Sequence, residues 1–133
     1  MKKNTLLILL GLSLLYWVLH LWGLVSLPVF ADEAIYIRWT QLMIDDWQQY
    51  AFFPLNDGKT PLMMWLMVPF QFIFTNQLYA ARFVAVLIGF VQFILMYFLL
   101  GKLSKRQSVQ VFGSVMTIVL PFWYTYHRMA LTE

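Results

Sequence analysis

Four apolar runs, separated by short polar stretches, organise the chain. The first, residues 5–27, follows Lys2, Lys3 and Asn4. As a helix rising 1.5 Å per residue it is about 34 Å long, which matches a hydrocarbon core of about 30 Å with slight tilt. A basic start and an apolar run also open secretory signal peptides. Those runs are shorter, however, and Tyr16, Trp17, His20 and Trp22 are poor material for a cleavage site, so the pattern predicts an uncleaved span. Residues 28–60 break the apolar pattern. Pro28 stops the helix, and Ile35, Trp39, Leu42, Met43, Trp47 and Tyr50 then recur at nearly helical spacing. Arg38, Gln41, Asp45, Gln48 and Gln49 fall mostly on the opposite side, as expected for a helix lying at a membrane interface. Pro54 and the Asn56-Asp57-Gly58 cluster predict a turn.

Residues 61–75 are apolar but short for a crossing, and Asn76 and Gln77 interrupt them. Residues 78–100 are long enough, with Arg82 near their start. Either both segments cross, or only the second does. Basic residues favour the cytoplasmic side. A single crossing puts Lys102, Lys105 and Arg106 on the same side as Lys2 and Lys3, and residues 108–127 then return outward as a third span. The expected fold class is therefore all-α: a polytopic membrane protein with three transmembrane helices and juxtamembrane helices in the first outer loop, residues 28–77.

Composition strengthens this layout. Of the 133 residues, 62% are hydrophobic and 11% charged, less than half the usual charged share of about a quarter. Such a chain cannot cover its surface with polar groups, so the lipid bilayer is an expected partner. Aromatic residues, at 19%, fit the interfacial enrichment of Trp and Tyr. The net charge of +3 comes from scattered bases rather than a basic stripe, which argues against nucleic acid. With no cysteine there are no disulfides, zinc-thiolate sites or thiol nucleophiles. In the three-span layout all six acids lie outside with Arg38, Lys59, Arg82 and Arg128, and the inner side holds only bases. Opposite charges gathered at one face are what a polar site requires.

Four constellations could carry chemistry. Asp32-Glu33 follows the first span; such a pair can act as a general base or hold a divalent cation, and it can equally cap a helix. Asp57-Gly58-Lys59-Thr60-Pro61 places a lysine beside a tight turn, able to reach a lipid phosphate or merely to snorkel at a helix start. It lacks the glycine-rich run of a nucleotide P-loop. Arg82, in an apolar stretch, costs at least about 2.5 kcal/mol if deep in the membrane, so it should lie near the boundary or be paired. His127-Arg128 with Glu133 ends the chain; His127 as a metal ligand competes with plain interfacial polarity, and Arg128 and Glu133 stand too far apart for an ideal helical pair.

Taken together, these motifs resemble the amino-terminal part of GT-C type membrane glycosyltransferases that use lipid-phosphate sugar donors, including the protein O-mannosyltransferases and the aminoarabinose transferases. The resemblance rests on Asp32-Glu33 with Tyr36, on Gly58-Lys59-Thr60-Pro61-Leu62 leading to Trp65-Leu66, on Ala81-Arg82-Phe83 through Gly89, and on Arg128-Met129-Ala130-Leu131-Thr132-Glu133. It implies a glycosyltransferase with Asp32 and Glu33 as catalytic carboxylates and Asp32 favoured to activate the acceptor. It also implies Lys59 at the lipid phosphate, Arg82 at the charged donor region, and Arg128 and Glu133 near the site. Thr60 replaces the usual first proline, and Glu133 stands where aspartate is common. The implied partners are a polyprenyl-phosphate sugar donor and an acceptor of unknown identity. A divalent cation is compatible but not required, and no metal ligands are assigned. The implied location is the plasma (inner) membrane, with the site on the non-cytoplasmic side. Family members have many more spans, so the chain is expected to be an amino-terminal portion, inactive alone. The competing reading is a small non-enzymatic membrane protein that assists assembly or binds lipid. A transporter fragment is a weaker alternative, because no span is conspicuously broken at mid-membrane.

Overall fold

The computed structural model describes residues 3–131. Among them the chain is helical, with no strand: α1 (Lys3–Leu21), α2 (Ala31–Asp45), α3 (Trp47–Tyr50), a 3-10 turn (Phe53–Asp57), α4 (Leu62–Ile73), α5 (Gln77–Leu103), α6 (Gln107–Val119) and α7 (Pro121–Tyr126). Among the described residues only α5 is long and apolar enough to cross a membrane, at 27 residues or about 40 Å. The expected second span coincides with this helix, which extends a few residues beyond 78–100. Asn76 starts it, its side chain accepting the Tyr79 amide at 3.0 Å.

The other two expected spans are shorter as helices. α1 ends at Leu21 rather than continuing to residue 27, because Gly23 takes a left-handed conformation (φ +57°) that turns the chain. The third apolar run is broken in two at Leu120–Pro121, where proline lacks the amide that would continue α6. That break was not expected from the run's hydropathy. α4, at 12 residues, is about 18 Å long, well short of a hydrocarbon core.

α5 is the wall on which everything else packs. Its first turns carry Ala81, Val84 and Ala85 against Tyr36 and Met43 of α2 and Met63, Met64 and Met67 of α4. Further along, Val86, Phe93 and Tyr97 pack with Leu12 and Tyr16 of α1 and Ile118 of α6. Two hydrogen bonds fix the direction of α1. Tyr16 donates to the Val86 carbonyl at 2.9 Å, and Tyr97 donates to the Thr5 carbonyl at 3.3 Å. α1 and α5 are thus antiparallel. α6 returns antiparallel as well, held at its start by Gln110, whose amide donates to the Tyr97 carbonyl at 2.9 Å. The beginning of α1 and the α5–α6 turn, with Lys102, Lys105 and Arg106, accordingly lie at the same end of the molecule.

At the opposite end α2, α3, the 3-10 turn and α4 form a small helical unit. α2 buries Glu33, Tyr36, Thr40 and Met43, a three-four-three spacing, while Arg38, Asp45, Gln48 and Gln49 are exposed. The polar side matches the sequence pattern. The buried face is rotated by about one residue from the expected Ile35–Trp39–Leu42 line, leaving Ile35 exposed, because Glu33 is drawn inward. Asp46 breaks the expected helix and caps α3 through the Gln49 amide at 3.1 Å.

Candidate functional site

Among the described residues one ion pair organises the end of the bundle opposite the α5–α6 turn. Glu33 lies in the first turn of α2 and Arg82 in the second turn of α5, and both side chains are fully buried. The contact is bidentate: Arg82 Nε donates to Glu33 Oε1 at 2.9 Å and Nη2 donates to Oε2 at 2.7 Å. The rest of the guanidinium is satisfied by backbone. Nη1 donates to the Leu24 and Leu27 carbonyls and Nη2 to the Pro28 carbonyl, each at 3.0 Å. Arg82 thus gathers the irregular segment after α1, whose carbonyls have no helix to bond into. The expectation that this arginine would be paired is met.

Glu33 has two further donors. The Phe30 amide reaches Oε2 at 3.1 Å, closing the start of α2, and the Ala130 amide reaches Oε1 at 2.8 Å. The carboxylate therefore joins four pieces of chain: the loop after α1, α2, α5 and the segment after α7. Burial by itself would push the Glu33 carboxyl up. The hydrogen bonds from Arg82, Phe30 and Ala130, with the charge of Arg82, outweigh that and hold it below the ordinary carboxyl value. Sequence reasoning anticipated capping by Asp32; the structure gives that role to Glu33.

Asp32 takes no part in this network. It is half-buried and makes no hydrogen bond or ion pair among the described residues, so its carboxylate is free beside a neighbour that is fully committed. Lys59 follows Gly58, whose left-handed conformation (φ +70°) closes the 3-10 turn, and its amide donates to the Pro54 carbonyl at 3.0 Å. The residue is half-buried, and its ammonium has no ion pair among the described residues. Both residues lie in the small helical unit, but no hydrogen bond or ion pair among the described residues joins them.

Arg128 is buried below the latch. It donates to the Trp22 and Gly23 carbonyls, each at 2.7 Å, and to the Tyr124 hydroxyl, with its guanidinium 4.8 Å from the Tyr124 ring centre. Arg82 and Arg128 together hold the loop after α1 from two sides. Glu133 lies outside the described residues. No group of three or more His, Cys, Asp or Glu suited to a metal ion occurs among the described residues.

The Ala130 amide is the participant that the sequence did not single out. A backbone amide donor leaves no trace in composition.

Among the described residues, fold and site define an all-helical chain with one membrane-length apolar helix and a small helical unit fastened by a buried carboxylate–guanidinium pair. Beyond that class, no protein-family model, curated protein or solved structure matches the chain.

Proposed function

We propose that the chain is the amino-terminal part of a membrane glycosyltransferase that moves a sugar from a polyprenyl-phosphate donor to an acceptor at the non-cytoplasmic face. The membrane reading has three passes: α1 with its following loop, α5, and α6 with α7. Outward-facing Leu7, Leu10 and Leu14 on α1, Val91 and Leu95 on α5, and Phe112 on α6 support it, since such surfaces are suited to lipid. Lys102, Lys105 and Arg106 share an end of the molecule with the start of α1, and the distribution of basic residues supports reading that end as cytoplasmic.

The observation that carries the catalytic reading is the division of labour within the carboxylate pair. Glu33 is sequestered by Arg82 and two backbone amides, while Asp32 is left free one residue away on a rigid first turn. In this reading Asp32 is the base that takes the acceptor proton, and Glu33 with Arg82 positions it. Lys59 neutralises the donor phosphate as it leaves. Arg128 and Glu133 act at the margin of the same site, Arg128 by fixing the loop before α2.

The experiment begins with the reading frame beyond codon 133 and uses its complete product, reconstituted with polyprenyl-phosphate sugars. Asp32→Asn is expected to lower transfer by about 10²- to 10⁴-fold, the range for loss of a general base, with the thermal midpoint unchanged. Glu33→Gln is expected to lower both. Undiminished transfer by Asp32→Asn would remove the catalytic assignment. A frame that stops after codon 133 and yields a stable membrane protein without transferase activity would favour the assembly or lipid-binding reading instead.

A further inference from the structure

Three buried side-chain nitrogens have no hydrogen-bond partner among the described residues: His20 Nε2, His127 Nδ1 and Arg128 Nε. All three belong to one cluster. The His20 and His127 ring centres are 5.6 Å apart, Tyr124 stands 5.3 Å from His20, and Arg128 lies against Tyr124. Scattered unpartnered groups would suggest loose packing. Their concentration at one place, inside an otherwise apolar bundle, points to a ligand.

The chemistry of the three nitrogens narrows that ligand. His20 Nδ1 lies 2.9 Å from the Tyr16 carbonyl, which can only accept, so in the neutral ring Nδ1 carries the proton and Nε2 presents a lone pair. His127 Nε2 lies 3.3 Å from Gln92 Oε1; with the Gln92 amide in this orientation its oxygen accepts, so in the neutral ring Nδ1 of His127 presents the second lone pair. Arg128 Nε presents an N–H. The vacant capacities are therefore two acceptors and one donor.

Charge removes the ions. A metal cation would sit beside a guanidinium with no carboxylate partner, which repels it. An anion needs donors, and two of the three groups offer none. Nor does Arg128 require a counter-ion here: it bonds the Trp22 and Gly23 carbonyls at the end of α1, where the helix dipole concentrates negative partial charge. What remains is a small neutral molecule that donates twice and accepts at least once.

We propose that His20, His127 and Arg128 bind a single water molecule within the bundle, which donates to both imidazoles and accepts from the guanidinium. Ring separation agrees: at an ordinary N···O distance the water oxygen stands about 4 Å from each ring centre, so one oxygen spans rings 5.6 Å apart. Three hydrogen bonds is also the usual complement of a buried water. Gly89 makes the arrangement possible, because a Cβ there would collide with the His127 ring and the Tyr16 hydroxyl. The water links α1 to the segment after α7, about two turns of α5 below the Glu33–Arg82 latch.

The test uses the unsubstituted chain in lipid nanodiscs with nitrogen-15 histidine. Two-bond proton–nitrogen spectra at about pH 7 should show both rings neutral, His20 protonated on Nδ1 and His127 on Nε2. Both bare nitrogens should carry hydrogen-bonded shifts, with magnetisation transfer from one long-lived water. The opposite tautomer in either ring, a charged ring, or bare nitrogens with free shifts overturns the proposal. One equivalent of zinc or copper retained through purification would do the same. His20→Phe and His127→Phe supply a second reading. Once one substitution has expelled the water the other has less to remove, so the double variant should lose clearly less thermal midpoint than the sum of the singles. Additive losses count against a shared ligand.

Discussion

At the scale of single residues, Glu33 and Arg82 dominate. Each is fully buried, and each would be left as an uncompensated charge without the other. Removing one partner of such a pair costs about 3–5 kcal/mol, so Arg82→Leu and Glu33→Leu should each strongly reduce the detergent-resistant folded fraction. Arg82→Leu should be the worse, because it also strands the Leu24, Leu27 and Pro28 carbonyls. Replacing both by apolar residues should recover part of the loss, and chemical denaturation of the three variants measures this directly. The pair also predicts an acid limb. With the Glu33 carboxyl held below its ordinary value of 4.5, its contribution is complete above that pH and disappears as pH falls through the depressed folded value. Thermal midpoints measured downward from pH 4.5 should therefore fall less steeply for Glu33→Gln than for the unsubstituted chain.

At the scale of elements, the glycines of α5 separate close approach from tolerance. Gly89 faces the His127 ring and the Tyr16 hydroxyl, both embedded in packed aromatic neighbours, so Gly89→Ala must push α5 away from α1 and α7. Overpacking of this kind costs about 1–3 kcal/mol. Gly101→Ala instead meets the end of the Gln110 side chain, which can rotate away with the loss of one hydrogen bond to Tyr97. The thermal midpoint should fall markedly for the first variant and little for the second. The same scale explains why the expected spans came out shorter. Hydropathy reports that residues 5–27 and 108–127 are apolar, but not where the ladder of backbone bonds stops. It stops where Gly23 turns left-handed and where Pro121 withholds an amide, and arginine guanidinia then take the carbonyls left over after α1.

For the whole molecule the issue is orientation. The antiparallel packing of α1, α5 and α6 puts Lys102, Lys105 and Arg106 at the end opposite the Glu33–Arg82 latch. Reporter fusions after Arg106 should therefore read cytoplasmic, and fusions after Gly58 should read external. An external signal after Arg106 would end the three-pass reading and move the proposed site away from the donor's side of the membrane.

Sequence alone determined the helical class, the long apolar α5, the polar segment between α1 and α5 and the need of Arg82 for a partner. These follow from composition, periodicity and the cost of a bare cation among apolar residues, all of which are local or additive quantities. Tertiary structure alone decided that the partner is Glu33, 49 positions away, that Asp32 is consequently the free carboxylate, and that His20 and His127 meet inside the bundle. Each of those outcomes depends on which helix faces come together around α5. A pattern read along one chain gives the phase of every helix, but not the neighbour against which that phase is finally set.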